Sequence, residues 1–208
     1  MDVLCGRLRS AEHWAAAREL CGALAREGRG VGDGEKDFFA EFWVDPYRLL
    51  RPGWTFAALV DGRFAGYLTG CPDTPRFRRE RRLRQRLPLV LGALSGRWGR
   101  SAAVRSFLRR SFALEVDPGE LPPSERERIE ARYPAHLHMN VSPAFQRRGV
   151  GRVLLGRLFE ELGSAGVPGA HLICGAGAEG FYARAGFETL TRWEPVPGVT
   201  LRAMGRPT

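Results

Sequence analysis

The stretch of residues 136–162 changes its apolar periodicity within a few positions, and this change constrains the fold more than any other feature. Leu137, Met139 and Val141 alternate with polar residues, which is typical of a β-strand. Pro143 ends that strand because proline cannot donate a hydrogen bond to a ladder. Beyond it the apolar residues follow helical spacing, at Val150, Val153, Leu154, Leu158 and Leu162. The sequence therefore predicts a strand, a tight turn and a helix.

The turn itself has the composition of an anion-binding site. Gly149 and Gly151 let the backbone turn with its N–H groups exposed. Free N–H groups and the positive end of the helix dipole favour an anion at a helix N-terminus. Arg147 and Arg148 add two cations beside it. We interpret the turn as a pyrophosphate-binding loop, and the alternative is a plain strand-to-helix turn whose glycines serve packing.

Two segments resemble the motifs of one enzyme superfamily. Residues 146–151, Gln-Arg-Arg-Gly-Val-Gly, resemble the acetyl-CoA signature of the GNAT acetyltransferases. Residues 180–187, Gly-Phe-Tyr-Ala-Arg-Ala-Gly-Phe, resemble the second GNAT motif and follow in the expected order. The resemblance implies an α/β GNAT fold, with a mixed central sheet of six or seven strands, a splayed central pair and flanking helices. A single domain over residues 1–208 is expected, with a basic helical insert around 75–112.

A narrower resemblance concerns two other stretches. Residues 133–138 and 70–74 are similar to a bacterial GNAT branch related to the acetyltransferase-like domain of O-GlcNAcases. The firm part of the resemblance covers about residues 54–74 and 133–190.

The superfamily resemblance implies acetyl-CoA as the cosubstrate and an amine as the acceptor. The resemblance implies that the pantetheine arm of acetyl-CoA lies along the central strand at Met139, Asn140 and Val141. A backbone N–H there would polarise the thioester carbonyl. The residues implied to contact the pyrophosphate are Gln146, Arg147, Arg148, Gly149, Val150, Gly151 and Arg152.

Three residues are candidates for the catalytic proton transfers. Tyr182 matches the GNAT tyrosine that protonates the departing CoA sulfur, and the alternative is a core tyrosine that holds its helix to the sheet. His138, which shares a strand face with His136, and Asp73 are candidates for the base that accepts the proton of the amine. The alternative for each is a hydrogen-bonded structural residue.

One position departs from the GNAT pattern. The second motif usually carries an Asn seven residues before its tyrosine, and this chain has Gly175 there. Since that Asn contacts pantetheine or caps the helix, its absence bears on CoA binding and on turnover.

The charge of the chain leaves more than one interpretation. The formal charge is +9, and Lys36 is the only lysine, so the cations are nearly all arginines. Seven of them, spread over residues 76–86, form a cluster. A solvated face, a site for an anionic substrate or a CoA phosphate, and a nucleic-acid surface are the alternatives, of which nucleic acid is the least favoured.

The remaining composition predicts a cytoplasmic protein with no membrane segment. No apolar run reaches the length of a membrane span, and the first residues lack the order of a signal peptide. The cysteines at 5, 21, 71 and 174 are widely spaced, so we expect reduced thiols and neither a disulfide nor a metal site. A homodimer is common in the superfamily, but no residue here demonstrates one.

Several local patterns give predictions that a structure can test. Ser10 should cap a helix over residues 11–26, and Asp61-Gly62 should form a hairpin turn. Pro88 should separate the basic segment from a new helix. Ser124 and Glu127 should form a capping box.

Three functions are compatible with these features. The first is an acetyl-CoA-dependent N-acetyltransferase that acts on an amine of a small molecule or protein by direct attack in a ternary complex. The second is a catalytically silent acyl-CoA-binding pseudo-acetyltransferase. The third is a basic nucleic-acid-binding protein.

Overall fold

A seven-stranded mixed sheet runs through the computed structural model, which describes residues 2–24, 33–96, 104 and 121–208. The strands are β1 (Val3–Arg7), β2 (Thr55–Val60), β3 (Arg63–Cys71), β4 (Ala135–Val141), β5 (Gly169–Gly175), β6 (Glu188–Val196) and β7 (Val199–Pro207). Their order in the sheet is β1-β2-β3-β4-β5-β7-β6. The neighbours β4 and β5 are parallel, and every other neighbouring pair is antiparallel.

Helices cover both faces of this sheet. They are α1 (Ala11–Leu24), α2 (Asp33–Trp43), α3 (Asp45–Leu50), α4 (Thr74–Leu94), α5 (Pro123–Arg132), α6 (Val150–Ser164) and α7 (Ala176–Arg184). None of the helices within the described ranges is long and apolar enough to cross a membrane. The predicted fold class, a mixed sheet of six or seven strands flanked by helices, is confirmed.

The largest apolar core lies between α6 and the sheet. Leu154, Leu158 and Leu162 of α6 are fully buried against strand residues that include Phe56 and Leu68. Their spacing of four residues places them on one face of the helix, as the sequence pattern predicts. This core fixes the N-terminus of α6 beside the end of β4.

A second core lies on the opposite face of the sheet. Trp14 and Ala17 of α1 and Val44 pack against Ala57 and Tyr67. Because side chains alternate along a strand, β4 directs residues 137 and 139 towards α6 and residues 136, 138 and 140 towards this second face.

Several local predictions are confirmed. The Ser10 hydroxyl accepts a hydrogen bond from the His13 N–H at 3.1 Å and so caps α1. Asp61 and Gly62 have φ angles of 48° and 76°, the combination that a two-residue type I′ hairpin turn requires. All four cysteines are free thiols.

Two local predictions are wrong. Pro88 lies inside α4 and does not separate two helices. Since Pro88 is exposed, water can solvate the carbonyl that loses its partner, and the helix continues. Ser124 forms no capping box, because α5 begins earlier, with Pro123 in its first turn and Pro122 at the N-cap.

The structure also shifts the bounds of other predicted elements. The helix of the second motif begins at Ala176, four residues before the predicted start. In the basic insert, α4 accounts for residues up to 94, and Val104 is helical and packs with Phe38 and Phe42. Residues 25–26, 97–103 and 105–112, for which helices were predicted, lie outside the described residues.

The close packing around Gly205 of β7 predicts that this position does not tolerate a larger side chain. A Cβ at Gly205 would lie 2.7 Å from Cε2 of Tyr133 and 2.8 Å from Cδ1 of Leu190. Gly205→Ala should therefore lower the free energy of unfolding by about 1–3 kcal/mol. Gly6→Ala in β1 is the matched control, since its Cβ would have no neighbour within 4 Å. Urea unfolding checks this, and equal stability of the two variants would contradict it.

Candidate active site

The two central strands separate almost at once. Only two residue pairs, Ala135–Ala170 and His136–His171, join β4 to β5. Beyond them the strands share no ladder, although β4 continues to Val141 and β5 to Gly175. A gap with backbone groups along both edges therefore opens in the middle of the sheet.

The backbone groups that face this gap follow from strand alternation. The Ser142 N–H donates to the Ala65 carbonyl at 2.9 Å, so even-numbered residues of β4 bond to β3. Leu137, Met139 and Val141 then face the gap. The side-chain amide of Gln146 donates to the Val141 carbonyl at 3.2 Å, which occupies one acceptor of that edge.

This alternation separates the three residues expected at the strand edge. Met139 and Val141 direct their backbone groups to the gap, whereas the backbone of Asn140 faces β3. The Asn140 side-chain amide donates to the Tyr67 hydroxyl at 2.8 Å on the face opposite α6. Met139 and Val141 can thus pair with an extended ligand, but Asn140 cannot do so from this position.

The N-terminus of α6 lies next to the gap. Gly149 is the N-cap with a φ of 81°, and a Cβ there would have no neighbour within 4 Å. The first intrahelical bonds run from Arg152 and Val153 to the Gly149 carbonyl, so the N–H groups of Val150 and Gly151 point out of the helix. These donors and an open backbone are what an anion needs for close approach.

Gly151 has a different role from Gly149. Its Cβ would lie 2.8 Å from Cζ of Phe181 and 3.3 Å from Cε of Met139. This glycine therefore allows α6 to pack closely against α7 and β4. Gly151 thus fits the packing interpretation of the turn, whereas the open backbone at Gly149 is compatible with an anion-binding loop.

The arginines of the turn surround the same helix end. Arg147, Arg148 and Arg152 are all exposed. Arg148 lies 5.9 Å from the centre of the Phe145 ring, and Arg63 lies 5.6 Å from it. Arg147 adopts a left-handed conformation with a φ of 60°, which turns the chain into the helix. The result is a cationic rim around the free N–H groups.

Tyr182 lies close to the other side of the gap. It is 7% exposed and packs edge-to-face against Phe181 and Phe187. Burial raises the pKa of its hydroxyl, and nearby Cys174 of β5 raises it further. The phenol is protonated at neutral pH and makes no hydrogen bond to another described residue, so it retains a proton to donate.

The position of the missing Asn is the junction of β5 and α7. Gly175 ends the strand and is the N-cap of the helix, where no side chain caps the first turn. A Cβ there would have no neighbour within 4 Å. The first N–H groups of α7 therefore lack the side-chain acceptor that an Asn provides.

A cavity of about 340 Å³ opens on the face of the sheet opposite α6. Its walls come from α2, α3, α4, α5, β4, β5 and β7 and from the residue Leu121 that precedes α5. They comprise Trp43, Tyr47, Thr74, Phe77, Arg78, Arg81, Leu121, Arg126, Glu130, His136, Leu137, His138, residues 171–175 and Leu201. The cavity thus includes residues from both edges of the gap.

His136 is fixed by a chain of hydrogen bonds. The Thr74 hydroxyl donates to the Pro134 carbonyl at 2.6 Å, so it accepts from Nδ1–H of His136 at 2.8 Å. The unprotonated Nε2 then accepts from the Tyr47 hydroxyl at 2.8 Å. Burial lowers the pKa of His136 well below its usual range, and the positive charges of neighbouring arginines lower it further. Both ring nitrogens of His136 are therefore engaged in hydrogen bonds within the protein, to Thr74 and Tyr47.

His138 lines the cavity and is stacked on Trp43, with ring centres 5.7 Å apart. Its Nε2 lies 3.2 Å from the Tyr67 hydroxyl and 3.3 Å from Nδ2 of Asn140. Burial lowers the pKa of His138 to about 4, which makes it neutral at pH 7. The lone pair on Nε2 is therefore present but already accepts a hydrogen bond.

Asp73 is not brought to the cavity. It is exposed, and its carboxylate accepts a hydrogen bond from the Arg76 N–H at 2.9 Å. This contact caps the first turn of α4, which is the structural alternative considered for this residue.

Sequence reasoning missed three residues of the site. Tyr47, Thr74 and Tyr67 hold the two histidines, yet each is far from them in the sequence. No local pattern marks them. Among the described residues, no group of three or more His, Cys, Asp or Glu side chains is positioned to hold a metal ion.

Comparisons with known proteins found a matching family model and several solved structures of similar fold. Residues 123–189 match the family model of the GNAT acetyltransferase domain. The crystal structure of SsHAT is 29% identical, with a TM-score of 0.73, and the match covers 100% of this chain and 98% of that one. A GCN5-related N-acetyltransferase from Kribbella flavida is 16% identical, with a TM-score of 0.57 and coverage of 99% and 98%.

A third structure was determined with a ligand. It is yncA from Salmonella typhimurium with its cofactor acetyl-CoA, 15% identical, with a TM-score of 0.52 and coverage of 99% and 93%. Taken with the parted strands and the glycine turn, these findings show that the chain has the GNAT fold and that residues 123–189 match its acetyltransferase domain.

The buried histidines predict a pH-dependent stability. Burial lowers the pKa of His138 and of His171 to about 4, and the pKa of His136 also falls well below its usual range. The unfolded chain protonates these rings below about pH 6.5, while the folded chain does so only at lower pH. The free energy of unfolding should be nearly constant between pH 7 and pH 8 and should fall steadily from pH 6.5 to 4.5.

Urea unfolding at several pH values measures this slope. His138→Gln should make the slope shallower, because one proton fewer is taken up on unfolding. A wild-type stability that does not change between pH 7 and pH 5 would contradict the prediction.

Proposed function

We propose that this protein is an acetyl-CoA-dependent N-acetyltransferase that transfers the acetyl group to an amine by direct attack in a ternary complex. The observation that carries the proposal is the gap between β4 and β5, with the open N-terminus of α6 at one end and the cavity at the other. An acetyl-CoA molecule extended along the gap would place its thioester next to an acceptor in the cavity. Its diphosphate would remain at the N-terminus of α6. The yncA structure, which was determined with its cofactor acetyl-CoA, supports this choice of donor.

The binding residues in this proposal act through backbone and charge. Met139 and Val141 offer backbone groups to the pantetheine amides in the manner of an added strand. The N–H groups at Gly149 to Gly151, with Arg147, Arg148 and Arg152, would hold the pyrophosphate. A backbone N–H of the β4 edge would polarise the thioester carbonyl.

The chemistry requires two proton transfers. The neutral amine nitrogen attacks the carbonyl carbon, a C–N bond forms, and the C–S bond breaks. We propose that Tyr182 donates its phenolic proton to the departing thiolate, and the protonated amine loses a proton to water or to a base. Of the two base candidates, His138 lines the cavity and remains the better one, whereas the capping contact of Asp73 argues against it.

Acetyl-CoA binding should depend on the glycine turn. Gly149→Glu adds a negative charge where the pyrophosphate would lie and forces a side chain into a φ of 81°. We expect micromolar affinity for the wild type and at least a tenfold loss in the variant, measured by isothermal titration.

Gly156→Glu is the matched control. Gly156 lies in the same helix, is exposed and has no neighbour within 4 Å of an added Cβ, but it is about two turns from the N-terminus. This variant should bind acetyl-CoA like the wild type. An equal loss in both variants, or no loss in Gly149→Glu, would refute the assignment of the turn.

Turnover should depend on the hydroxyl of Tyr182. Tyr182→Phe removes the proposed proton donor but keeps the ring packing against Phe181 and Phe187. We expect kcat to fall by about 10²-fold or more, with the affinity for acetyl-CoA changed less than threefold. Thiol release measures kcat, and an unchanged kcat would remove Tyr182 as the acid.

A silent acyl-CoA-binding module is the second candidate function. The observation that favours it is Gly175, which leaves the N-terminus of α7 without the usual side-chain cap. Acetyl-CoA binding without acetylation of any amine would support this candidate, and turnover of any amine would exclude it.

A further inference from the structure

The two histidines of β4 differ in one hydrogen bond, and this difference bears on how the cavity holds an acceptor. Nε2 of each ring lies within hydrogen-bond distance of a tyrosine hydroxyl, that of Tyr47 for His136 and that of Tyr67 for His138. Nδ1 of His136 also has a partner, the Thr74 hydroxyl at 2.8 Å. Nδ1 of His138 has no hydrogen-bond partner among the described residues, yet it is not one of the buried unpartnered atoms, so it is open to solvent.

The ring of His138 is oriented with Nδ1 towards the cavity. Its Nε2 is directed to Tyr67 and Asn140, and neither is among the described residues that line the cavity. His138 itself does line it, as does Trp43, whose ring is stacked on the imidazole at an angle of 14°. Since the two ring nitrogens lie on different sides of the imidazole, Nδ1 is the nitrogen that a bound acceptor can reach.

The neighbours of Nε2 decide where the hydrogen of this neutral imidazole lies. Nδ2 of Asn140 donates to the Tyr67 hydroxyl at 2.8 Å, so the hydroxyl directs its own hydrogen to Nε2 of His138, at 3.2 Å. The same amide nitrogen lies 3.3 Å from Nε2, where its second hydrogen can point. Because two donors meet at Nε2, this atom accepts, and the hydrogen of the ring is on Nδ1.

The surroundings keep both groups in a neutral state. Tyr67 is fully buried, and burial raises the pKa of its hydroxyl well above the usual range, with a further contribution from Cys21. Burial lowers the pKa of His138 to about 4, so the ring is neutral at pH 7. The cavity therefore receives an N–H donor from His138. A base would need a lone pair in that direction, and the lone pair of this ring points away from the cavity.

We infer that His138 binds an oxygen atom of the acceptor through Nδ1–H, and that Tyr67 and Asn140 are the positioning residues that hold it in this tautomer. The inference rests on the proposed function and assigns His138 the role of a hydrogen-bond donor in place of a base. The proton of the attacking amine then leaves to water. Such a site favours an amine that carries an oxygen, because an analogue without it leaves the donor unpaired.

Nitrogen NMR of the full-length protein, labelled at its histidines, measures the tautomer directly. Protonated and unprotonated ring nitrogens have separate chemical shifts, and His138→Phe identifies the signals of His138 by their loss. We expect Nδ1 to carry the hydrogen at pH 7. Asn140→Asp replaces the amide donor by a carboxylate, which should move the hydrogen to Nε2. Tyr67→Phe removes the hydroxyl donor and should populate both tautomers, while the signals of His136 stay unchanged as the internal control.

An Nε2–H tautomer in the wild type would overturn the inference. The opposite orientation of the Asn140 amide would produce it, because the amide oxygen would then accept a hydrogen bond from Nε2–H of His138. Nδ1 would in that case offer a lone pair to the acceptor, and His138 would be the base.

Matched acceptors test the oxygen contact with acetyl-CoA as the donor. The pairs are methoxyethylamine with butylamine, and glycinamide with isobutylamine, which have similar shapes and differ in an ether or a carboxamide group. Rates are compared at equal concentrations of the neutral amine, since the polar group lowers the pKa of the amine itself. We expect the oxygen-bearing member of at least one pair to be favoured about tenfold or more in kcat/KM, mainly through KM. Release of CoA thiol measures the rate.

Variants connect that preference to Nδ1. His138→Phe keeps a ring against Trp43 but removes both nitrogens, so the ratio of kcat/KM within a pair should fall by about fivefold or more. His138→Asn should retain part of the ratio, because its amide can place an N–H near the position of Nδ1. His13→Phe is the matched control, since His13 packs on Phe64 and is not among the described residues that line the cavity. Each ratio is measured within one variant, so a partial loss of folded protein does not affect it.

The outcomes separate this inference from the proposed function. A protein that does not bind acetyl-CoA would refute the proposed function, whereas the tautomer is measured without acetyl-CoA. A protein that binds acetyl-CoA but acetylates neither oxygen-bearing amine, favours the alkylamines or keeps its preference in His138→Phe would exclude the oxygen contact and leave the binding of acetyl-CoA intact.

Discussion

The short ladder between β4 and β5 is the constraint on which the rest of the site depends. Two residue pairs join these strands, and the strands then separate while each remains bonded to its outer neighbour. Backbone N–H and C=O groups inside a protein require partners. The edge of β4 is therefore an incomplete sheet that an amide-bearing ligand can complete. Gln146 already provides one such partner, at the carbonyl of Val141.

Because side chains alternate along β4, the helix N-terminus that can bind an anion and the cavity with its histidines lie on opposite faces of the sheet. Odd-numbered residues of β4 pack towards α6, and the helix end beside them offers N–H donors and arginines to an anion. Even-numbered residues face the cavity, where His136 and His138 are neutral and hydrogen-bonded to tyrosines. A ligand that spans the gap would touch both sides. This arrangement allows donor and acceptor to approach each other from opposite faces of one sheet.

Local sequence patterns correctly predicted the elements whose physical cause lies among neighbouring residues. They failed where solvent exposure or contacts with other parts of the chain determine the structure. The cap at Ser10, the hairpin at Asp61-Gly62 and the helical stripe of α6 follow from short-range geometry. Pro88 was expected to break a helix, but its exposed position lets the helix continue. Asp73 is a candidate base in the sequence, yet its carboxylate caps the first turn of α4. The pairing of Tyr47 with His136 joins residues 89 positions apart, which no local pattern reveals.

By itself, the sequence determined the strand, glycine turn and helix of residues 136–162, because periodicity and glycine spacing are properties of neighbouring residues. The class of fold and the place of Tyr182 on the second-motif helix followed from the resemblance of residues 146–151 and 180–187 to the GNAT motifs. The tertiary structure decided which residues face the gap, since that depends on the register of β4 against β3. It also decided that Gly149 is open while Gly151 is packed, and that arginines from α4 and α5 converge on one cavity. These facts depend on contacts between distant segments, and only the folded chain brings those segments together.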